Sequence, residues 1–325
     1  MDAVAYALAN SIPATYSAPT GWATKTALPA TRYNHAQSTL SDNTVLVTGG
    51  QTTSAVYSYS LITNTWTTKT SLPATRYSHA QSTLNDGTVL VTGGFVSGSA
   101  SADVQSYNPV TNAWTAKTSL PATRYSHAQT TLNDGTVLAT GGRGVGASQF
   151  ADVDSYSPVT DAWTTKTSLP ATRFDHAQSL LDDGTVLVTG GRVGGNGTGA
   201  RSNTVESYDP ATDTWTAKTS MPVTRELHGQ STLFGGTVLT TGGYVNGVVS
   251  SNMGLYDPAT NTWSSTTSLP ATRYNHAQST LSDRTVLVTG GFVAGSASSD
   301  VQLYTSNGDP LTPGRAALLG YLAAN

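Results

Sequence analysis

From residue 20 to residue 304 short runs of the chain alternate hydrophobic with polar positions, and no stretch carries the 3.6-residue spacing of an amphipathic helix. Runs such as HAQSTL and TVLVTGG are rich in β-branched residues and are separated by turn sequences such as NDG, which predicts paired antiparallel strands. After a longer polar stretch a third run, DVQSY, follows. The turn NPVTN then leads into AWTAKT, a fourth strand.

This four-strand pattern recurs. Histidines stand at 35, 79, 127, 176, 228 and 276, and each is followed 15 residues later by the second glycine of a pair, at 50, 94, 142, 191, 243 and 291. Tyrosines follow at 59, 107, 156, 208, 256 and 304, and each of the first five precedes the next histidine by 20 residues. Only the step from glycine to tyrosine varies, taking the values 9, 13, 14, 17, 13 and 13. All length variation therefore falls in one loop per repeat, which is where a scaffold places its adjustable contacts. Repeats of 20 to 50 residues mark solenoids or propellers.

Gly-Gly ending the second strand, Tyr on the third and Trp on the fourth, as in Gly93, Gly94, Tyr107 and Trp114, resemble the Kelch repeat, and the resemblance runs over about 20–304. It implies an all-β fold: a six-bladed Kelch-type β-propeller with four antiparallel strands per blade. The sixth repeat has His276, Gly290, Gly291 and Tyr304 but no Trp, whereas Trp22 stands alone near the start. The segment 20–26 is thus expected to supply the outer strand of the last blade, closing the ring and removing an exposed edge. The organisation expected is an extension over 1–19, a propeller over 20–304, and a tail over 305–325 with a short helix in RAALLGYLAAN. The blades would cover about 27–66, 71–114, 119–163, 168–215, 220–263, and 268–304 together with 20–26.

Composition narrows the function. A net charge of -3 provides no basic field for nucleic acid, and no run reaches the ~20 apolar residues of a membrane span. Cysteine is absent, which excludes disulfides, thiolate metal sites and cysteine nucleophiles. Only 11% of residues are charged, so hydroxyls must cover much of the surface; this fits a secreted or cell-surface protein. The opening MDAVAYALAN has no basic n-region and reads as a mature or trimmed start.

All six histidines occupy one repeat position, so the economical reading is a structural peg between blades, hydrogen-bonded to backbone. A metal ring is the alternative, but six positions spread around a wide ring cannot share one ion at ~2.0 to 2.1 Å, and no metal or other cofactor is expected. Arg32, Arg76, Arg124, Arg173, Arg225 and Arg273 read as ties from the inter-blade connections to nearby carbonyls, although guanidiniums also bind anions. The six tryptophans read as inter-blade core.

No catalytic set emerges. The galactose-oxidase family, whose catalytic domain is a Kelch-type propeller, needs a Cys–Tyr crosslink and a copper held by histidines. This chain has no cysteine, and its histidines are all repeat positions. Its acidic residues Asp42, Asp86, Asp134, Asp183 and Asp283 lie in the first turn of the repeat and Asp209 and Asp257 beside the second, as turn caps would. The glycine-rich GRVGGNGTG at 191–199 has no helix after it and reads as a loop, not a phosphate site.

Antiparallel connectivity puts the variable loops and the inter-blade segments at the same mouth of the channel. The candidate binding face there comprises Tyr33, Tyr77, Tyr125, Tyr274 and Glu226 from the segments, with Arg143, Arg192, Arg201, Asn196 and Phe150 from the loops. Gln149, Phe95, Tyr244 and Phe292 belong to the same loops. Aromatics among small polar groups suit a protein or glycan ligand. The expected function is a non-enzymatic binding scaffold; the alternative is a structural, self-assembling repeat protein. Near-identical loops FVSGSASADVQSY and FVAGSASSDVQLY favour that alternative, with the terminal tails as docking segments.

Overall fold

Residues 21–194 and 199–306 are described by a computed structural model. In the first repeat the strands Ala36–Thr39, Val45–Thr48, Val56–Ser60 and Thr65–Lys69 lie side by side in that order, each antiparallel to the next. The same order recurs to give six four-stranded sheets among the described residues. Their first strands, Ala36–Thr39, Ala80–Thr83, Ala128–Thr131, Ala177–Leu180, Gly229–Thr232 and Ala277–Thr280, neighbour one another in sequence order, and the last neighbours the first. The sheets thus radiate from one axis as the six blades of a closed propeller.

Closure uses the two ends of the ring. Gly21–Thr24 pairs antiparallel with Val301–Thr305, setting Trp22 opposite Tyr304, and this covers the outer edge of the sixth blade. The strand expected at 20–26 is therefore in place. The predicted C-terminal helix at 315–325, the N-terminal extension and Asn196 lie outside the described residues.

Each blade has two apolar faces because its strands alternate and both sides are covered. Across the closing seam Val45, Val47 and Tyr59 of the first blade pack on Leu281, Leu287 and Val301 of the sixth. The strand tyrosines are buried, and their hydroxyls are satisfied: Tyr59 Oη donates to Asn64 Oδ1 at 2.7 Å, and Tyr156 Oη to Asp161 Oδ1 at 2.7 Å. The tryptophans differ from expectation. They are half-buried at the outer margin of each seam, not inside it. The cause is the indole N–H, which needs an acceptor: Trp66 Nε1 donates to the Thr26 carbonyl oxygen and Trp114 Nε1 to that of Thr70, each at 2.9 Å, on the neighbouring blade's edge. The acidic residues of the first turn do cap it, as Asp86 shows by accepting from the Thr88 backbone N–H at 2.9 Å and hydroxyl at 2.7 Å.

Candidate functional site

The mouth is built by two segments of each repeat. In four of the six repeats the loop folds into a hairpin that pairs back on the repeat arginine and the residue after it. Ser99–Ala100, Phe95–Val96 and Arg76–Tyr77 form one such three-stranded sheet, and three more occur in the fourth, fifth and sixth repeats. The third repeat makes only isolated bridges, Tyr125 to Arg143 and Arg143 to Gln149. Even the glycine-rich loop is such a hairpin at its base, with Arg192–Val193 paired to Ala200–Arg201.

This pairing interleaves loop residues with the segment tyrosines. The Phe95 ring lies 5.3 Å from that of Tyr77 and 5.0 Å from that of Tyr125, and Phe292 sits likewise between Tyr274 at 5.3 Å and Tyr33 at 4.9 Å. Tyr244 extends this second arc, 4.7 Å from Tyr274. In the third and fourth repeats the character changes to cationic. The Arg143 guanidinium is 4.8 Å from the Phe174 ring and 5.8 Å from the Tyr125 ring, and Arg201 is 5.6 Å from the Tyr244 ring. The rim is therefore a ring of half-buried planar groups, aromatic rings and guanidiniums.

Two candidates are displaced from that rim. Phe150 covers the buried Arg124 guanidinium at 5.4 Å, behind the rim. Glu226 is only 1% exposed, so it does not present a carboxylate to a ligand; it is bound by Arg192 and, at 2.7 Å, by Arg201. A carboxylate placed so deep needs paired cations, which the two loop arginines supply. Glu226→Gln should accordingly lower stability by about 2 kcal/mol, seen as an earlier urea midpoint at unchanged slope. Phe174, which occupies the position of the four tyrosines and is left out of the candidate face read from the sequence, is 2% exposed and lies beneath Arg143 as its support.

Inside the rim lies a feature with no signal in side-chain chemistry. Asn34, Ser78, Ser126, Asp175, Leu227 and Asn275 all adopt the left-handed region, with φ between 51° and 55°. Each donates its backbone N–H to the carbonyl of its counterpart in the preceding blade at 2.8–3.1 Å, and Asn34 donates to Asn275, so six bonds close a ring around the axis. These residues and the six histidines line an axial cavity of about 160 Å³. At ~30 Å³ per water it holds a handful of waters. Asp175 is the only carboxylate in its wall, and burial, with the Glu226 charge adding to it, pushes its pKa up to about 6 against the pull of Ser126, Arg192 and Arg143.

The histidines are pegs, as expected, but their partners are side chains and not backbone. His79 Nε2 meets Thr48 Oγ1 at 2.8 Å across the seam, and the pattern repeats to His35 on Thr289 at 2.8 Å. The arginines do tie carbonyls: Arg32 Nη1 donates to the Gly49 oxygen at 2.9 Å. Among the described residues no group of three or more histidine and acidic side chains is arranged to hold a metal ion.

No curated protein matches the chain in sequence. A solved structure titled "Structure of YjhT" shares the fold with a TM-score of 0.72 at 16% identity, over 86% of this chain and 96% of that one. Residues 51–302, the larger part of the chain and five of its six glycine pairs, match the family model of the Attractin/LZTR1 beta-propeller, and the chain belongs to that Kelch-type propeller family.

Proposed function

We propose that the protein is a non-enzymatic binding module whose ligand, a protein or a glycan, rests on the rim of the loop-bearing mouth. The observation that carries this reading is the aromatic arc Tyr244, Tyr274, Phe292 and Tyr33, four rings in successive contact beside the opening. Such rings give apolar area at low entropic cost and stack on sugar faces or peptide side chains. The second arc, Tyr77, Phe95 and Tyr125, repeats the same surface. The axial cavity, about 160 Å³, is much smaller than a peptide or an oligosaccharide, which supports binding on the rim. The two carboxylates nearest the mouth are engaged or buried, which supports binding over catalysis. Low charge and a hydroxyl-rich surface support a place outside the cell or on its surface. Among the described residues no helix is long and apolar enough to cross a membrane.

A glycan array and a displayed peptide library, both probed with the purified chain, test the reading. Specific binding that falls at least tenfold in Tyr77→Ala with Tyr125→Ala, with the far-UV spectrum unchanged, is the expected result. Blank arrays from folded protein would overturn it and leave the self-assembling reading, for which the mass in solution is the measurement.

A further inference from the structure

Five of the six repeat arginines have a counter-group for their buried charge, supplied from the third strand of the blade or the residue just before it, two or four residues ahead of its tyrosine. Arg124 meets Asp154 at 2.6 Å, Arg173 meets Glu206 at 3.7 Å, and Arg76 and Arg273 meet Asp103 at 3.8 Å and Asp300 at 3.7 Å. Arg32 lies 4.8 Å from the centre of the Tyr57 ring. In the fifth blade both supplying positions are emptied of charge, for they hold Asn252 and Gly254. Arg225 is 3% exposed, and among the described residues it is bonded only to the carbonyl oxygens of Gly242 at 2.6 Å and Asn252 at 2.9 Å. Its Nε is buried without a partner, as it is in all six repeat arginines, so what sets Arg225 apart is the absent counter-group alone.

At Gly254 the Thr240 hydroxyl and the Trp263 ring close in, to 3.0 and 3.3 Å of where a Cβ would stand, and the open space lies beside them. Gly254 pairs with Thr240 across the sheet and lies two residues before Tyr256, on the face that packs against Leu187 and Val205 of the fourth blade. A cavity of about 520 Å³ opens there, within the range of small-molecule sites, and Arg225 lines it together with Asn252, Thr240, Trp263 and Ser265. A buried guanidinium stays charged at neutral pH, and without a countercharge that burial is costly.

We propose that this cavity on the fifth blade is a binding site for a small organic monocarboxylate, whose carboxylate takes on Arg225 the place that Asp154 and Glu206 take on theirs. Trp263 and Met221 would flank its apolar part, and the hydroxyls of Thr240 and Ser265 its polar groups. A monoanion fits better than phosphate because the wall holds a single cation. The lysine found three residues after tryptophan in every other unit, as in Lys218, is Thr266 here. The site is separate from the rim proposed above and does not depend on it.

Benzoate, glucuronate and inorganic phosphate are the probes, titrated into the full chain at pH 7 while the Trp263 indole resonance and the heat of binding are followed. Saturable binding of at least one carboxylate is expected. Asn252→Asp, which places a carboxylate where Asp103 and Asp300 stand in their blades, should weaken it at least tenfold while raising the melting temperature. Tyr77→Ala with Tyr125→Ala should leave it unchanged. The proposal is overturned if neither carboxylate saturates, if phosphate binds more tightly than both, or if Asn252→Asp binds as well as the parent.

Discussion

Taking the protein from pH 7 to pH 5 should bring it to the edge of unfolding. In five of the six seams the hydrogen bonds fix the histidine tautomer. A leucine carbonyl can only accept, so the Gln81 amide nitrogen donates to Leu46 and its oxygen faces Thr48, which must donate to it. The Thr48 oxygen is then left to accept from His79 Nε2–H, and Nδ1 is the unprotonated nitrogen, buried without a partner. Gln37, Gln129, Gln178 and Gln230 make the same chain to Leu287, Leu90, Leu138 and Leu187. A proton on Nδ1 would put an unpaired charge in the seam. Burial first, and the neighbouring arginine second, therefore hold His79, His176 and His276 down to about 3, and His35, His127 and His228 well below the ordinary value of 6.5.

The sign follows from linkage. A base depressed in the folded state takes up its proton only on unfolding, so stability is intact above the unfolded value near 6.5 and is lost as pH falls below it. Six such groups give up to ~8 kcal/mol per pH unit, and even ~1.5 units below 6.5 the loss rivals the ~5–15 kcal/mol that holds a typical fold. Asp175, Asp154 and Glu206 work the other way, since burial raises their values and acid relieves the buried carboxylates, but they are three groups against six. Urea midpoints at pH 7, 6, 5.5 and 5 check this. A flat series would show that the folded seams accept protons.

How much of this could be read in the chain depended on whether the physics was local. The four strands of each blade, their order and the closing role of Trp22 follow from alternation and from a missing Trp in the last repeat, and they are as expected, whereas the loop hairpins were not foreseen. The histidine pegs were legible as repeated buried groups, but their partners were not. Thr48 and His79 lie 31 residues apart on different blades, and only the seam geometry joins them. Glu226 looked like a surface departure from the tyrosine pattern. It is buried because two arginines from a loop of the preceding blade reach it, a contact that no spacing within one repeat announces. The axial ring is made of backbone groups, so Asn, Ser, Asp and Leu serve equally and leave no common residue type to notice.

Gly141→Ala should cost about 4 kcal/mol or more, while Gly98→Ala, at an equally left-handed residue, should cost only ~1 to 2 kcal/mol. Both glycines have positive φ, 58° and 84°, so an alanine pays the same conformational cost at either. They differ in what a methyl would meet. At Gly98 nothing lies within 4 Å, whereas at Gly141 the Arg173 carbonyl oxygen would be 2.3 Å away and His176 Cε1 3.2 Å. That oxygen has no freedom to retreat, because it accepts the Gly142 N–H at 2.8 Å and belongs to the connection that leads into the fourth blade. The Gly141 carbonyl is held in turn by Arg124 at 3.3 Å, itself paired with Asp154. The paired glycines are thus the points where one blade's backbone touches the next, and the methyl would wedge the third and fourth blades apart. Urea unfolding of the two variants beside the parent is the measurement. Equal losses at Gly141 and Gly98 would mean that backbone conformation alone, and not contact between blades, accounts for the glycine at 141.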